Sequence, residues 1–189
     1  MKHWTLILAT FATLTLGFCA TASADYLPEG GQAEASTDSA ERVQNFLESK
    51  NFMASRLELR KHSGDVVADL VEISQNTRVE RDTRARAIKC LALYRDDDRA
   101  IDTLGTLFAK IKTSDKLFPQ VVVSYTEMRG EDVVNEIAPL LQNKDRNVRM
   151  AAVIALGRYG GQTGYEQLQE AKANEQDTQV LERISRYTH

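Results

Sequence analysis

The feature that most constrains the fold of this 189-residue chain is an internal repeat. The stretch DTRARAIKCLALY from Asp82 aligns with NVRMAAVIALGRY from Asn147, so that Arg84 and Arg149 lie 65 positions apart. That separation is two periods of 32 or 33 residues, and residues 117–128 supply the middle copy. Helical repeats of this length are hairpins that bury their apolar faces only against neighbours. We therefore predict an all-α protein, a right-handed α-solenoid of antiparallel helix hairpins.

Residues that favour helix starts and stops recur at the boundaries of these units. Thr77 and Glu80 have the spacing of a capping box for a helix predicted to run to Tyr94. Pro119 lies near a predicted helix start, where its missing N–H costs little, whereas Pro139 lies inside an apolar helical segment and is predicted to kink it. The predicted N-caps are Asp98, Asp132, Asp145 and Asp177. The predicted turns between units are Gly130 and Gly160–Gly161.

Residues 136–171, EIAPLLQNKDRNVRMAAVIALGRYGGQTGYEQLQEA, resemble HEAT repeats, in particular the short HEAT-like repeats first associated with phycobilisome lyases. The chain is thus similar to an exported bacterial member of that group. The most specific part of the resemblance includes Arg149 in the third unit. The equivalent position is Phe118 in the second unit and Leu181 in the last. The resemblance implies an α-solenoid in which one helix of each hairpin lies on the convex side and the other on the concave side. It also implies scaffolding or protein binding, although a fold alone does not fix function.

The first 24 residues have the pattern of a secretory signal peptide. A basic start is followed by an uncharged run over residues 4–18 and by small residues up to Ala24. The run is short for a bilayer span, so we expect cleavage, a periplasmic chain that begins at Asp25 and no transmembrane segment in the mature protein. The alternative is a lipid anchor on Cys19, because LGFC resembles a lipoprotein box, although a large Phe18 stands where a small residue is preferred.

Composition divides the remaining chain into three parts. Residues 25–37, DYLPEGGQAEAST, have little apolar surface to bury and are predicted to form a disordered leader. Residues 38–64 are predicted to form an N-terminal helical cap that starts with a capping box of Asp38 and Glu41 and is divided at Asn51. Its apolar positions at helical spacing are Val43, Phe46, Leu47, Met53 and Leu57. Residues 65–189 are the predicted HEAT-like repeat domain.

Candidate catalytic and metal-binding groups are few, so the sequence predicts no enzyme, no metal and no cofactor. Cys90 is interpreted as a small core residue, and His62 is isolated from other ligands. The acidic run 96–98 lacks the spacing of a calcium loop and is interpreted as a turn with an N-cap. The glycines of residues 157–164 lack the lysine of a phosphate loop and are interpreted as turn residues.

Charge excludes one class of partner. With 24 basic and 27 acidic residues the net charge is −3, whereas a nucleic-acid-binding protein needs a basic face. A local basic face is formed by Arg78, Arg81, Arg84, Arg86 and Lys89. We expect most of it to be solvated and paired with Glu80 and Asp82, with Arg84 in a structural contact between repeats. An anionic ligand or lipid headgroup at this face is an open alternative.

Superposition of the repeats predicts a partner-binding strip. In the third unit Met150 and Ile154 lie opposite the apolar side of their helix, and the repeat offsets place residues of the other units beside them. The binding strip comprises Lys89, Pro119, Val123, Met150, Ile154, Glu182 and Arg186. Its centre is apolar and its ends are charged, as in many interfaces. The sequence predicts a monomeric periplasmic scaffold or adaptor that binds a protein through this concave strip. The alternatives are an accessory subunit of an exported enzyme and a lyase-like enzyme.

Overall fold

The computed structural model describes the backbone of residues 31–188 and the side chains of residues 38–188. The regular secondary structure of this part is helical. The helices are α1 (Gly31–Glu48), α2 (Arg56–Leu59), α3 (Val66–Gln75), α4 (Arg81–Leu91), α5 (Asp98–Lys110), α6 (Phe118–Arg129), α7 (Val134–Ile137), α8 (Arg146–Tyr159), α9 (Gly161–Lys172) and α10 (Thr178–Ser185). Short 3-10 segments, Gly130–Val133 and Ala138–Gln142, flank α7. None of the helices within residues 31–188 is long and apolar enough to cross a bilayer. The predicted signal peptide and Cys19 lie outside the described residues.

The helices from α3 to α10 form four stacked hairpins. The second helices α4, α6, α8 and α10 pack one against the next and form the second-helix row. The first helices form the other layer, in which α3 contacts α5 and α9 contacts the 3-10 segments beside α7. Helix α1 covers the start of the stack by packing on α3 and α4. This arrangement is the predicted α-solenoid, in which each unit buries its apolar face against its neighbours.

The core is continuous along the stack because aromatic residues join its two halves. The N-terminal half buries apolar residues from Val43 to Met128, and the C-terminal half buries residues from Phe118 to Ile184. Phe108 packs against both halves, with its ring stacked 4.8 Å from that of Tyr125 and 6.0 Å from that of Phe118. Phe118 thus contributes apolar contact at the position where the first and third units carry arginine.

Several of the predicted helix boundaries are confirmed. Asp145 caps α8 by accepting a hydrogen bond from the Asn147 N–H at 2.8 Å, and Asp177 caps α10 by accepting one from the Gln179 N–H at 2.9 Å. Pro139 lies where α7 changes into a 3-10 segment, which is the predicted interruption. Pro119 lies in the first turn of α6. Glycines with positive φ mark two of the predicted turns: Gly130 and Gly161.

Two of the predicted N-caps are wrong. Helix α5 is capped by Asp97 and not by Asp98, because Asp97 has the extended backbone of a cap and accepts the Arg99 N–H at 3.0 Å. Asp98 is already the first residue of the helix. Asp132 lies inside the 3-10 segment Gly130–Val133 and caps no α-helix.

The predicted capping box of Thr77 and Glu80 is also wrong, because α4 begins at Arg81. The side-chain oxygen of Asn76 accepts the backbone N–H of Arg78 at 3.0 Å and holds the chain in a turn before the helix. Glu80 is the N-cap residue, but its side chain makes no capping bond.

The N-terminal cap differs from the prediction at its start and in the segment that follows α1. Helix α1 begins at Gly31 and not at Asp38, so the second half of the predicted disordered leader 25–37 is helical, in keeping with the helix-favouring QAEA of residues 32–35. Asp38 pairs with Arg42 one turn on, within α1. Met53 and Leu57 were expected on an apolar face but are 67% and 70% exposed. Met53 lies between α1 and α2, and Leu57 is in the short α2, whose buried residue is Leu59.

Candidate functional site

The arginines that recur in the repeat close their own hairpins. The Nε of Arg84 donates to the carbonyl of Ser74 at the end of α3, at 3.1 Å. The Nη1 of Arg149 donates to the carbonyl of Asn143 in the equivalent place of the third hairpin, at 2.8 Å. Arg84 was predicted to make a contact between repeats, but its contact lies within its own hairpin. The last carbonyls of a helix have no partner inside that helix, and the Arg84 side chain is long enough to bond to one of them.

Arg149 additionally joins the third hairpin to the fourth. Its Nε lies 2.8 Å from Oε2 of Glu175, and the two side chains are only 17% and 8% exposed. The other oxygen of Glu175 accepts the backbone N–H groups of Gln176 and Asp177, each at 2.9 Å. Burial raises the pKa of Glu175, but the bonds from Arg149 and from these N–H groups outweigh it, so that its pKa lies below the ordinary value.

The predicted basic face of α4 does not form one anion site. Arg86 is used in the fold, where it donates to the carbonyls of Leu47 and Ser49 at the end of α1. Arg81 pairs with the adjacent Asp82 at 2.8 Å, which confirms the predicted pairing of the basic face with Asp82. Lys89 remains exposed on α4. The arginines are thus divided among separate carbonyls and carboxylates, and no common point of convergence is formed by the described contacts.

The structure places six of the seven residues of the binding strip on the second-helix row and Arg186 directly after its last helix. Lys89 is on α4, Pro119 and Val123 on α6, Met150 and Ile154 on α8, Glu182 on α10 and Arg186 just after it. The three charged residues are exposed, and the four apolar ones are half-buried. Val123 and Met150 pack partly against the C-terminal core. The strip therefore has the exposure that a docking surface needs, although part of its apolar area already contributes to the core.

Beside the strip lies an aromatic and charged group that sequence reasoning missed. The ring of Tyr187 lies over Gly157, where an added Cβ would come within 2.3 Å of the ring. Arg158 lies close enough to Tyr187 and Tyr159 for the phenol groups to raise its pKa, and burial together with the nearby Glu127 of α6 raises the pKa of Tyr159. Gly157 was interpreted as a turn residue, but it lies within the last turn of α8 and is covered by the C-terminal segment. A glycine inside an apolar helical segment was the available signal for this close approach.

A cleft of about 1060 Å³ opens between the third and fourth hairpins. Arg149 and Glu175 line it together with Lys144, Glu170 and Pro139. Its other polar side chains are the carboxylate of Asp177 and six amides: Asn135, Gln142, Asn143, Gln167, Asn174 and Gln176. This cleft was also missed, because its residues come from three separate segments that only the stacking of the hairpins brings together.

The candidate reactive groups of the sequence are engaged in structural contacts. Cys90 is fully buried, and burial raises the pKa of its thiol from 9.0 to about 12. Asp96 accepts a bond from Arg56 at 2.5 Å. Asp97 caps α5 and pairs with Arg99, and the bond from Arg99 lowers the pKa of Asp97. His62 stacks on Phe46 with a centroid distance of 4.7 Å. Each of these groups therefore takes part in packing, in helix capping or in an ion pair.

Comparison with known proteins identifies the kind of repeat. Residues 120–185 match the family model for HEAT repeats, which covers α6 through α10 and less than half of the chain. The fold is an α-solenoid, and this part of it consists of HEAT-like repeats. A comparison with curated proteins gives no match.

Proposed function

We propose that this protein is an exported, non-enzymatic scaffold or adaptor that binds a protein partner through the binding strip. The observation that supports the proposal is that the strip residues lie on the second-helix row or, for Arg186, directly after it, with half-buried apolar side chains between exposed charges. HEAT-like repeats support a scaffolding role, since stacked hairpins offer an extended surface for docking.

The pKa values that are displaced among the described carboxyl, thiol and phenol groups move away from neutrality. The displaced pKa values of Asp65, Asp96, Asp97 and Glu175 lie below their ordinary values, and those of Cys90, Tyr94, Tyr125 and Tyr159 lie above. These displacements all move away from neutral pH, whereas a general acid or base works best with a pKa near it.

Site-specific photo-crosslinking in intact cells tests the proposal. A crosslinker at exposed Asn147 or Gln179 samples the second-helix row, and one at exposed Thr106 or Gln162 samples the first helices as a matched control. We expect one defined protein adduct from the second-helix row and none from the control positions. Adducts only from the control positions, or no adduct from any position, would contradict the proposal.

A second experiment links the adduct to the apolar centre of the strip. Replacing Met150 and Ile154 by Glu should abolish the adduct, because it puts charge where the partner's apolar surface would be buried. The same change at exposed Met53 and Leu57 is the control and should leave the adduct intact. If the Glu double variant loses its helical circular dichroism, the milder double variant Met150→Ala with Ile154→Ala is tested instead. A folded Ala double variant that forms as much adduct as the wild type contradicts the proposed site.

Export is proposed from the N-terminal pattern of a basic start, an apolar run and small residues before Asp25. N-terminal sequencing of the protein from the periplasmic fraction should begin at Asp25. A membrane-bound form that retains an acylated Cys19 would support the lipid-anchored alternative instead.

A further inference from the structure

Ionisable residues are divided unequally between the two layers of the solenoid. The second helices α4, α6, α8 and α10 carry nine basic and three acidic residues, a net charge of +6. The first helices α3, α5, α7 and α9 carry three basic and seven acidic residues, a net charge of −4. Since the whole chain has a net charge of −3, the positive charge of the second-helix row is a local property.

Some of this positive charge is used inside the fold. Arg84, Arg86 and Arg149 donate to carbonyls at helix ends, and Arg81 is offset by Asp82. The basic side chains that stay exposed along the strip are Lys89, Arg146, Arg158 and Arg186. Arg146 forms a long ion pair with Asp177 at 3.9 Å, a distance too great for a hydrogen bond, and its side chain is 52% exposed.

Acidic groups at the strip are fewer than basic ones. Glu182 is exposed on α10, whereas Glu127 is half-buried and close to Tyr159, whose pKa is raised by burial and by this carboxylate. The apolar side chains of Val123, Met150 and Ile154 lie between these charges. The strip therefore combines an apolar centre with more exposed basic than acidic side chains, which gives it a positive potential.

The spacing of the helices sets the length of a partner that reaches both charged ends. Packed helices lie 8–10 Å apart, so the three steps from Lys89 on α4 to Arg186 beyond α10 amount to about 27 Å. An extended chain covers that distance with roughly eight residues.

We propose that the binding strip recognises an acidic protein segment: an extended stretch of roughly eight residues with apolar side chains in the middle and carboxylates at both ends. Its carboxylates pair with Lys89 at one end and with Arg186 at the other, while its apolar residues cover Met150 and Ile154. This inference rests on the proposed function and adds the charge of the partner to it.

Two fluorescent peptides of the same apolar centre, one flanked by Glu at both ends and one by Lys, test the charge preference with the purified chain. Fluorescence anisotropy should give a dissociation constant about tenfold lower for the Glu-flanked peptide at low salt. The difference should shrink at about 0.5 M salt, because screening weakens contacts between exposed charges. The double variant Lys89→Glu with Arg186→Glu should reverse the preference.

The control variant is Lys112→Glu with Lys144→Glu, which makes the same change of net charge at exposed positions outside the second-helix row. It should keep the wild-type preference for the Glu-flanked peptide. Equal binding of both peptides, no binding of either, or an equal loss in the control overturns the acidic-partner inference. A crosslinked adduct that depends on Met150 and Ile154 would still support the proposed function in those cases.

Vesicles with and without phosphatidylglycerol separate a protein partner from an anionic membrane. We expect no difference in binding between the two compositions at physiological salt. Binding to the anionic vesicles that disappears in Lys89→Glu with Arg186→Glu, together with no discrimination between the peptides, overturns the inference in favour of lipid headgroups.

Discussion

The Nε of Arg149 on α8 lies 2.8 Å from Oε2 of Glu175 in the turn before α10, and this pair joins the last two hairpins. Arg149 also donates to the carbonyl of Asn143, so one guanidinium closes its own hairpin and holds the next. Glu175 is bonded in turn to the N–H groups at the start of the α10 cap. The contact between the third and fourth hairpins therefore combines apolar packing with a mostly buried, fully bonded ion pair.

Removing the guanidinium should destabilise the protein strongly. We expect Arg149→Met to lower the free energy of unfolding by about 2–3 kcal/mol, because it leaves the Glu175 carboxylate buried without its partner. Urea denaturation followed by circular dichroism measures the change. Arg146→Met is the matched control: its side chain is exposed and 3.9 Å from Asp177, so we expect less than about 0.5 kcal/mol. Equal losses in the two variants would contradict the role of Arg149.

The same pair should make stability depend on pH in the acid range. The pKa of folded Glu175 lies below the ordinary 4.5, so its contribution is fully present above pH 4.5 and is lost as pH falls through the folded value. The difference in unfolding free energy between wild type and Glu175→Gln should therefore shrink as pH is lowered from 6 to below 4.5. Urea titrations across that range measure it, and a difference independent of pH would argue against an ionised Glu175.

Two glycines in helices should respond oppositely to alanine. At Gly164 an added Cβ would lie 2.7 Å from the backbone carbonyl oxygen of Leu156, which cannot move away, so Gly164→Ala should cost about 1–3 kcal/mol. At Gly105 the nearest atom is on Tyr125 at 3.9 Å, and alanine favours the helix, so Gly105→Ala should stabilise by roughly 0.5–1 kcal/mol. Thermal unfolding measures both, and a gain at Gly164 would contradict the described turn between α8 and α9.

Cys90 should be unreactive in the folded protein. Its thiol is fully buried and its pKa is raised to about 12, so little thiolate forms at pH 8 and reagents have no access to it. Alkylation by iodoacetamide, followed by mass spectrometry of the peptide that contains Cys90, should be slow in buffer and fast in urea. Rapid labelling under native conditions would mean that α4 opens locally.

The sequence predicted helix boundaries correctly where a single capping residue and its immediate neighbours determine the helix start. Asp145 and Asp177 cap their helices because the cap forms within two residues along the chain. Prediction failed where neighbouring residues compete: Asp97 and Asp98 stand side by side, and Asn76 organises a turn ahead of the expected start of α4. The exposure of Met53 was missed for a related reason, since helical spacing buries a residue only if the helix continues.

The placement of the binding strip on one row was predictable for the same reason as the repeat. Equivalent positions of stacked units lie on equivalent helix faces, so repeat offsets sufficed to assign the residues from Lys89 to Ile154 and Glu182 to the second helices. The contacts beside the strip were not predictable from the sequence. Tyr187 covers Gly157 because the segment after α10 packs against α8, which no local pattern indicates.

By itself, the sequence determined the helical repeat, its period and most of its turns, since these follow from apolar spacing, prolines, glycines and caps within about 30 residues. Tertiary structure alone decided which side chains meet between units. Glu175 is 26 residues from Arg149, and the amides of the cleft come from separate segments. No local pattern encodes such pairs, because the distance between them depends on how each hairpin is stacked and rotated on the previous one.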